Sequence, residues 1–385
     1  MQVVVVGAGL GGLRTVEELR RAGHTGGLLL VGEEADHPYD RPPLSKQALQ
    51  DGTAPPPLRP VEDYAELDVE LTLGVAALHL DRGAHEVHLA DGSVLAYDAL
   101  VLAPGAAPRR LPGPNLDGMH TLRTAGDAAA LRRDLLAHQS LVVVGGGFIG
   151  CEVAASARLL GCEVDLVEAL PGPLVRVLGP VMAARVRELH LAHGVRLHTG
   201  VGVHRLVGQP AVEGVELVDG RLLPARVVLV GLGVAPATAW LSGSLELAPD
   251  GGITCDAAGL AAPDIWALGD AAAWGGGRRV EHWTSAVEQA ASVAQSVLGH
   301  PPTGTAVPYI WSEQHGSLLQ CVGAVGPDTE TDVFEVGAGL AALHTDGDRL
   351  LGASLLDLRR HAGRVRRVLA SGGTIEAARE ALLRS

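Results

Sequence analysis

The strongest constraint on this chain is a pattern of strand, glycine loop and helix that is written twice. Four valines, Val3 to Val6, read as a strand buried on both faces, and they run directly into Gly7-Ala8-Gly9-Leu10-Gly11-Gly12. Gly7, Gly9 and Gly12 stand where a strand must turn tightly, let backbone approach a pyrophosphate, and pack against a helix. Leu13, Val16, Leu19 and Ala22 then recur at helical spacing up to Gly23, a second apolar strand follows at Leu28 to Val31, and Glu33 lies 21 residues past Gly12. An acid there can accept hydrogen bonds from ribose hydroxyls. The second copy begins at Leu141 to Val144, continues through Gly145-Gly146-Gly147-Phe148-Ile149-Gly150 and a helix, and ends at Glu168, 18 residues past Gly150. With 51 glycines in 385 residues one such run is weak evidence, but two complete copies are an internal repeat.

Two such units imply two dinucleotides, one held as a prosthetic group and one exchanged, which is the arrangement of a flavin reductase. The length allows two or three domains, and no apolar run approaches 18 residues. Met1 leads straight into the first strand without a basic leader, so the expected compartment is the cytoplasm. A net charge of −14 argues against nucleic acid and against an anionic membrane surface as partners. Cys151, Cys162, Cys255 and Cys321 lie far apart with no C-x-x-C, and the 16 histidines show no metal-ligand spacing, so no metal site is expected.

Between the repeats, Val69 to Leu73, His85 to Leu89 and Asp98 to Ala103 read as strands, and Pro55 to Pro60 as a surface loop. Val227 to Val230 and Gly231 to Pro236 look like the exit from the second domain. Ile265 to Asp270 is a buried strand ending in an acid, placed to contact a cofactor. Ser285-Ala286-Val287-Glu288 reads as a capping box opening a helix to about Leu298. From Ala306 the pattern becomes short strands (Leu318 to Val325, Thr331 to Val336, Leu340 to His344, Leu350 to Leu355) and then helices. The expected architecture is α/β: residues 1–112 and 240–305 as one dinucleotide-binding domain, 113–239 as the other, both Rossmann-like, and 306–385 as a C-terminal α+β domain.

Six runs carry a family resemblance: Gly7 to Gly12, Pro38-Tyr39-Asp40-Arg41-Pro42-Pro43-Leu44-Ser45-Lys46, Gly145 to Glu152, Leu268-Gly269-Asp270, Glu281-His282-Trp283 and Pro308-Tyr309-Ile310-Trp311-Ser312. The resemblance they carry extends over nearly the whole chain, and the Arg-Pro-Pro-Leu-Ser-Lys run is the most specific. The chain resembles the FAD-containing, NADH-dependent ferredoxin reductases of the putidaredoxin reductase type, which serve oxygenases and share the glutathione-reductase-like fold. The resemblance implies that Gly7, Gly9 and Gly12 line the FAD pyrophosphate, Glu33 its ribose, and Arg41 and Arg123 its phosphate and adenosine region. Asp270 would bond the ribityl chain, and Trp283 and Trp311 would lie near the isoalloxazine or nicotinamide. Gly145, Gly147, Gly150, Glu168 and Gly233 would hold NADH. Glu168 favours NADH over NADPH on physical grounds, since a 2′-phosphate would meet a like charge and no arginine follows until Arg176. The dipole of the helix after Ser285 would stabilise negative charge on reduced flavin by a few tenths to about 1 kcal/mol.

Lys46 is the only lysine in the chain. Arginine serves every other basic position, so a compact ammonium is retained here without a planar fork. The family pairs this lysine with a glutamate matched by Glu152, so Lys46 and Glu152 are the candidate catalytic residues: an ion pair near flavin N5 that orients ring and nicotinamide. The chain departs from the family at Ala103-Pro104-Gly105, where Ala-Thr-Gly is usual, and at Ala237 and Ser285, where Asn is common. Relatives that reduce disulfides carry a cysteine pair soon after the first motif, and this chain has no cysteine before Cys151. Arg359, Arg360, Arg364, Arg366 and Arg367, a basic run on an expected helix of the last domain, or Arg278 and Arg279, offer docking charges for an acidic ferredoxin. The expected protein is a monomer or homodimer that takes hydride from NADH into FAD and passes electrons to a 2Fe-2S ferredoxin serving a cytochrome P450 or Rieske dioxygenase. The alternatives are an NADH-responsive sensor resembling apoptosis-inducing factor, or a component reducing rubredoxin or nitrite reductase.

Overall fold

The computed structural model describes residues 1–277, 279–303, 307–325 and 329–384. The chain gathers into two compact units. One comprises Met1–Asp40, Pro56–Ala107 and Val234–Ala306; the other comprises Arg41–Pro55, Pro108–Gly233 and Val307–Ser385. Among the described residues no helix is long and apolar enough to cross a membrane.

In the first unit Val3–Val6 is the centre of a six-stranded sheet. It pairs in parallel with Leu28–Gly32 on one side and Ala99–Leu102 on the other. Val3, Val4 and Val5 are wholly inaccessible, which explains a run of apolar residues without alternation, and each buried valine contributes roughly 1.5–3 kcal/mol. The sheet continues through Ile265–Ala267 beyond Ala99–Leu102 and through Glu70–Leu73 beyond Leu28–Gly32. The chain leaves Val3–Val6 toward one flank and later returns on the other, so Gly7 lies where the strand order reverses, beyond the carboxyl ends of the strands. Open α/β sheets bind ligands at that point. The helix Leu10–Arg21 buries Leu13, Val16 and Leu19 and packs against the helix Trp283–Val297 through Ala290, Val293 and Ala294.

The expected capping box at Ser285 is not formed. That helix starts three residues earlier, its N-cap is His282 in extended backbone, and Ser285 is buried within its first turn. The Trp283 indole, donating to Asp40 Oδ1 at 3.0 Å, fastens the helix start, so the helix amides open at Trp283 rather than after Ser285.

The second unit repeats the plan. Ser140–Val144 pairs in parallel with Glu163–Glu168 and Val228–Val230, with Arg196–Thr199 and Met119–His120 at the edges. It also holds an antiparallel sheet in the order Tyr309–Gln314, Ser317–Gly323, Arg349–Leu356, Gly339–Asp346 and Glu330–Val336, covered by the helices Ala362–Ala370 and Ile375–Leu383. The helix Phe148–Leu159 packs against Tyr309–Gln314, the first strand of this sheet. Arg359 and Arg360 precede the helix Ala362–Ala370, so the arginine run is not one helical face.

Candidate active site

The two glycine loops repeat one another residue by residue. Gly7 has φ +114° and Gly145 φ +107°, a region favouring glycine, and a Cβ at either would meet the carbonyl oxygen of Ala103 or Gly231 at 2.0 or 2.4 Å. At Gly12 and Gly150 a Cβ would lie 1.9 and 2.1 Å from the carbonyl oxygens of Gly7 and Gly145, so these glycines let each helix close onto its turn. Gly9 and Gly147 differ, because a Cβ at either would find nothing within 4 Å. Both are helix N-caps with no side-chain cap, and neither helix has an acid in its first turn. Open space before unspent backbone amides fits a pyrophosphate in both loops.

In the first unit Glu33 is exposed just beyond Leu28–Gly32. Asp270 is presented by a stiff backbone: the Arg279 guanidinium donates to its carbonyl oxygen at 2.5 Å, and the Gly269 amide donates to Gln289 Oε1 at 2.7 Å. Arg279 also pairs with Asp250 and Glu281 at 2.8 Å each and its side chain is only 7% exposed, so it supports Asp270 rather than offering a docking charge. Arg278 lies outside the described residues. His282 Nδ1 is buried without a hydrogen-bond partner, and burial pushes its imidazole below the ordinary value against the opposing pull of Asp270. An orphaned polar atom beside Asp270 and Trp283 suits a polar cofactor in the same unit.

In the second unit Glu168 closes the glycine loop on itself, accepting from the Gly146 amide at 2.7 Å and the Leu170 amide at 2.8 Å. The carboxylate is thereby held at the loop with lone pairs left for ribose hydroxyls. Gly233, φ +80°, has open space at its Cβ position, and its carbonyl accepts from the Arg109 amide at 2.9 Å. Arg41 and Arg123 come together: the Arg41 guanidinium donates to the Arg123 carbonyl, and Arg123 immediately precedes the capping box of Thr124 and Asp127 on the helix Ala125–His138. Trp311 lies on Tyr309–Gln314, stacked on Tyr309 at 5.8 Å.

Lys46 and Glu152 meet although 106 residues separate them. Pro42 and Pro43 preset a 3₁₀ turn, Pro42–Ser45, that carries Lys46 to the buried face of the helix Phe148–Leu159. Lys46 Nζ donates to Glu152 Oε2 at 2.7 Å, with the two side chains 12% and 5% exposed. Glu152 also accepts from the Ser45 hydroxyl on Oε2 and from the Ser312 hydroxyl on Oε1 at 2.6 Å. Ser156 fastens the turn by donating to the Ser45 carbonyl at 2.7 Å. The carboxylate therefore has three donors, the condition under which a buried pair holds one geometry. Ser45 and Ser312 stand inside the matched runs without an assigned role, and Gln314 and His190, described below, carry no local signal. All four cysteines are buried; burial pushes the Cys255 and Cys321 thiols up to about 12 and raises Cys151 as well, so no accessible thiolate is on offer.

Comparison with known proteins gives the family. Residues 1–290 match the family described as pyridine nucleotide-disulphide oxidoreductase. The chain belongs to that family. Residues 309–382 of this oxidoreductase match a second family, described as reductase C-terminal, which corresponds to the antiparallel sheet and its two helices. Rhodocoxin reductase of Rhodococcus erythropolis is 38% identical, over 96% of this chain and 90% of its own length. The ferredoxin–NAD(+) reductase component of the biphenyl dioxygenase system of Paraburkholderia xenovorans (strain LB400) is 39% identical, over 84% and 82%. Among solved structures, putidaredoxin reductase in its covalent complex with putidaredoxin aligns at TM-score 0.91 and 32% identity, over 96% of this chain and 93% of that one. The ferredoxin reductase for the CYP199A2 system from Rhodopseudomonas palustris aligns at TM-score 0.93 and 32% identity, over 99% and 97%. The fold is the glutathione-reductase-like one with a β-rich C-terminal domain.

Proposed function

We propose that this oxidoreductase takes a hydride from NADH onto FAD and delivers electrons singly to a 2Fe-2S ferredoxin that supplies an oxygenase. The observation that carries the reading is the duplicated glycine loop, with open, uncapped space at Gly9 and Gly147 alike. The names of the relatives, reductases of ferredoxins in dioxygenase systems, support the choice of acceptor. When bound, FAD supplies the conversion of a two-electron hydride donor into one-electron steps.

The residues divide as follows. Gly7, Gly9, Gly12, Glu33, Arg41, Arg123 and Asp270 hold FAD, and Gly145, Gly147, Gly150, Glu168 and Gly233 hold NADH. Trp283 and Trp311 border the reacting rings. Lys46, kept in place by Glu152, orients ring and nicotinamide, and proximity is the main source of rate. Lys46 Nζ also donates to the Pro42 carbonyl at 3.2 Å, which limits where the ammonium can go. A carboxylate at Glu168 disfavours a 2′-phosphate, so NADH is the preferred donor.

The decisive experiment mixes the anaerobic flavoprotein with NADH and then with a 2Fe-2S ferredoxin. Rapid ferredoxin reduction is expected. A long-lived reduced complex with NAD⁺, a change of oligomeric state and no electron delivery would instead indicate a sensor.

A further inference from the structure

The hydrogen bonding of Glu152 continues past Ser312 within the second unit. The Ser312 hydroxyl accepts from Gln314 Nε2 at 3.0 Å, Gln314 Oε1 faces His190 Nε2 at 3.0 Å, and His190 Nδ1 faces His315 Nε2 at 3.1 Å. His315 stacks on the exposed His193 at 4.2 Å. Ser312, Gln314 and His190 are all buried, and His190 reaches the row from the last turn of the helix Val175–Ala192, 124 residues before Gln314.

Glu152 decides the direction of this row. A carboxylate only accepts, so the single Ser312 proton points at it and the hydroxyl oxygen accepts from the Gln314 amide. The Gln314 oxygen then requires a donor, which puts the proton of neutral His190 on Nε2. Its Nδ1 is left to accept, and His315 donates from Nε2. Burial pushes His190 down to about 4 and His315, with help from its histidine neighbours, to about 3, so at neutral pH His190 keeps one nitrogen free to accept.

We propose that Ser312, Gln314 and His190 are positioning residues for the Lys46–Glu152 pair: a one-way row of donors that fixes how the carboxylate faces and so where the Lys46 ammonium is held. The effect on turnover rests on the reading that this pair orients the reacting rings. The row orients rather than conducts, because a carboxamide in its middle does not readily gain and lose a proton at neutral pH.

The test uses the FAD-loaded protein and two readouts. In single-turnover reduction at saturating NADH, His190→Leu is expected to slow flavin reduction about tenfold at unchanged flavin content. His190→Gln should recover most of that rate, since its amide nitrogen reaches where imidazole Nε2 stands. On a Lys46→Met background His190→Leu should add nothing further. If His190→Leu fails to fold, Gln314→Glu replaces the central donor with an acceptor of similar volume, and the same slowing is expected. Independently of turnover, ¹⁵N spectra of the histidines should show His190 and His315 protonated on Nε2, with the His315 signals shifting in Ser312→Ala. Unchanged rates in His190→Leu and Gln314→Glu, additivity with Lys46→Met, or His190 protonated on Nδ1 would overturn the proposal. Should NADH leave the flavin of the unaltered protein oxidised, the functional reading fails, and the nitrogen spectra still judge the row.

Discussion

Gly9→Ala separates what the fold needs from what the cofactor needs. Gly9 has φ −95° and ψ −163°, open to any L-residue, and its added methyl meets nothing within 4 Å. Alanine is a poorer N-cap than glycine by a few tenths to about 1 kcal/mol, and stiffening the unfolded chain returns about 0.4–1 kcal/mol. The apoprotein should therefore melt within a few degrees of the unaltered one. A pyrophosphate seated on the helix amides would be displaced by the methyl from at least one of them. A hydrogen bond to a charged group contributes about 1.5–3 kcal/mol, which corresponds to a roughly 10- to 150-fold rise in Kd. FAD binding to apoprotein, followed by flavin fluorescence, measures it. Gly147, at φ −77° with equally open surroundings, is the matched control: Gly147→Ala should weaken NADH by a similar factor and leave FAD untouched. Full FAD affinity in Gly9→Ala, or equal loss of FAD in both variants, would refute the assignment of one loop to each dinucleotide.

Three further outcomes are expected. Lys46→Met should slow flavin reduction by about two orders of magnitude while FAD content stays near normal, because it loosens orientation rather than the pyrophosphate seat; unchanged stopped-flow kinetics would contradict this. Glu168→Ala should narrow the preference for NADH over NADPH severalfold, read from kcat/KM for each, because it removes a like charge facing the 2′-phosphate. Acid should destabilise the second unit. His190 is neutral and inaccessible when folded, with its proton affinity depressed to about 4, whereas the unfolded chain titrates near 6.5. The unfolded state therefore binds more protons below about 6.5, and stability falls as the pH drops from there toward 4, by on the order of 3 kcal/mol for this group. Melting temperatures of His190→Gln across that window should fall less steeply than those of the unaltered protein.

How much of this was legible beforehand depends on whether the cause is local. The glycine loops were readable because each glycine answers a constraint from its immediate neighbours: Gly7 from its positive φ, Gly12 from the Gly7 carbonyl. The valine strands were readable because burial on both faces demands an unbroken apolar run. The start of the helix Trp283–Val297 was misjudged at Ser285 because the Trp283 indole, bonded to Asp40 243 residues away, outweighs local capping chemistry. Arg279 looked like surface charge and is instead tied beneath Asp270 by partners on other loops.

The sequence by itself determined that two units of strand, glycine loop and helix would form, since strand, turn and helix are set by neighbours a few positions apart. Tertiary structure alone decided that Ser45 and Ser312 join Lys46 on Glu152, and that Gln314 and His190 stand behind it. Ser45 and Ser312 lie 107 and 160 residues from Glu152 and His190 lies 124 from Gln314, and donors converge on a buried carboxylate only once packing has excluded water from it.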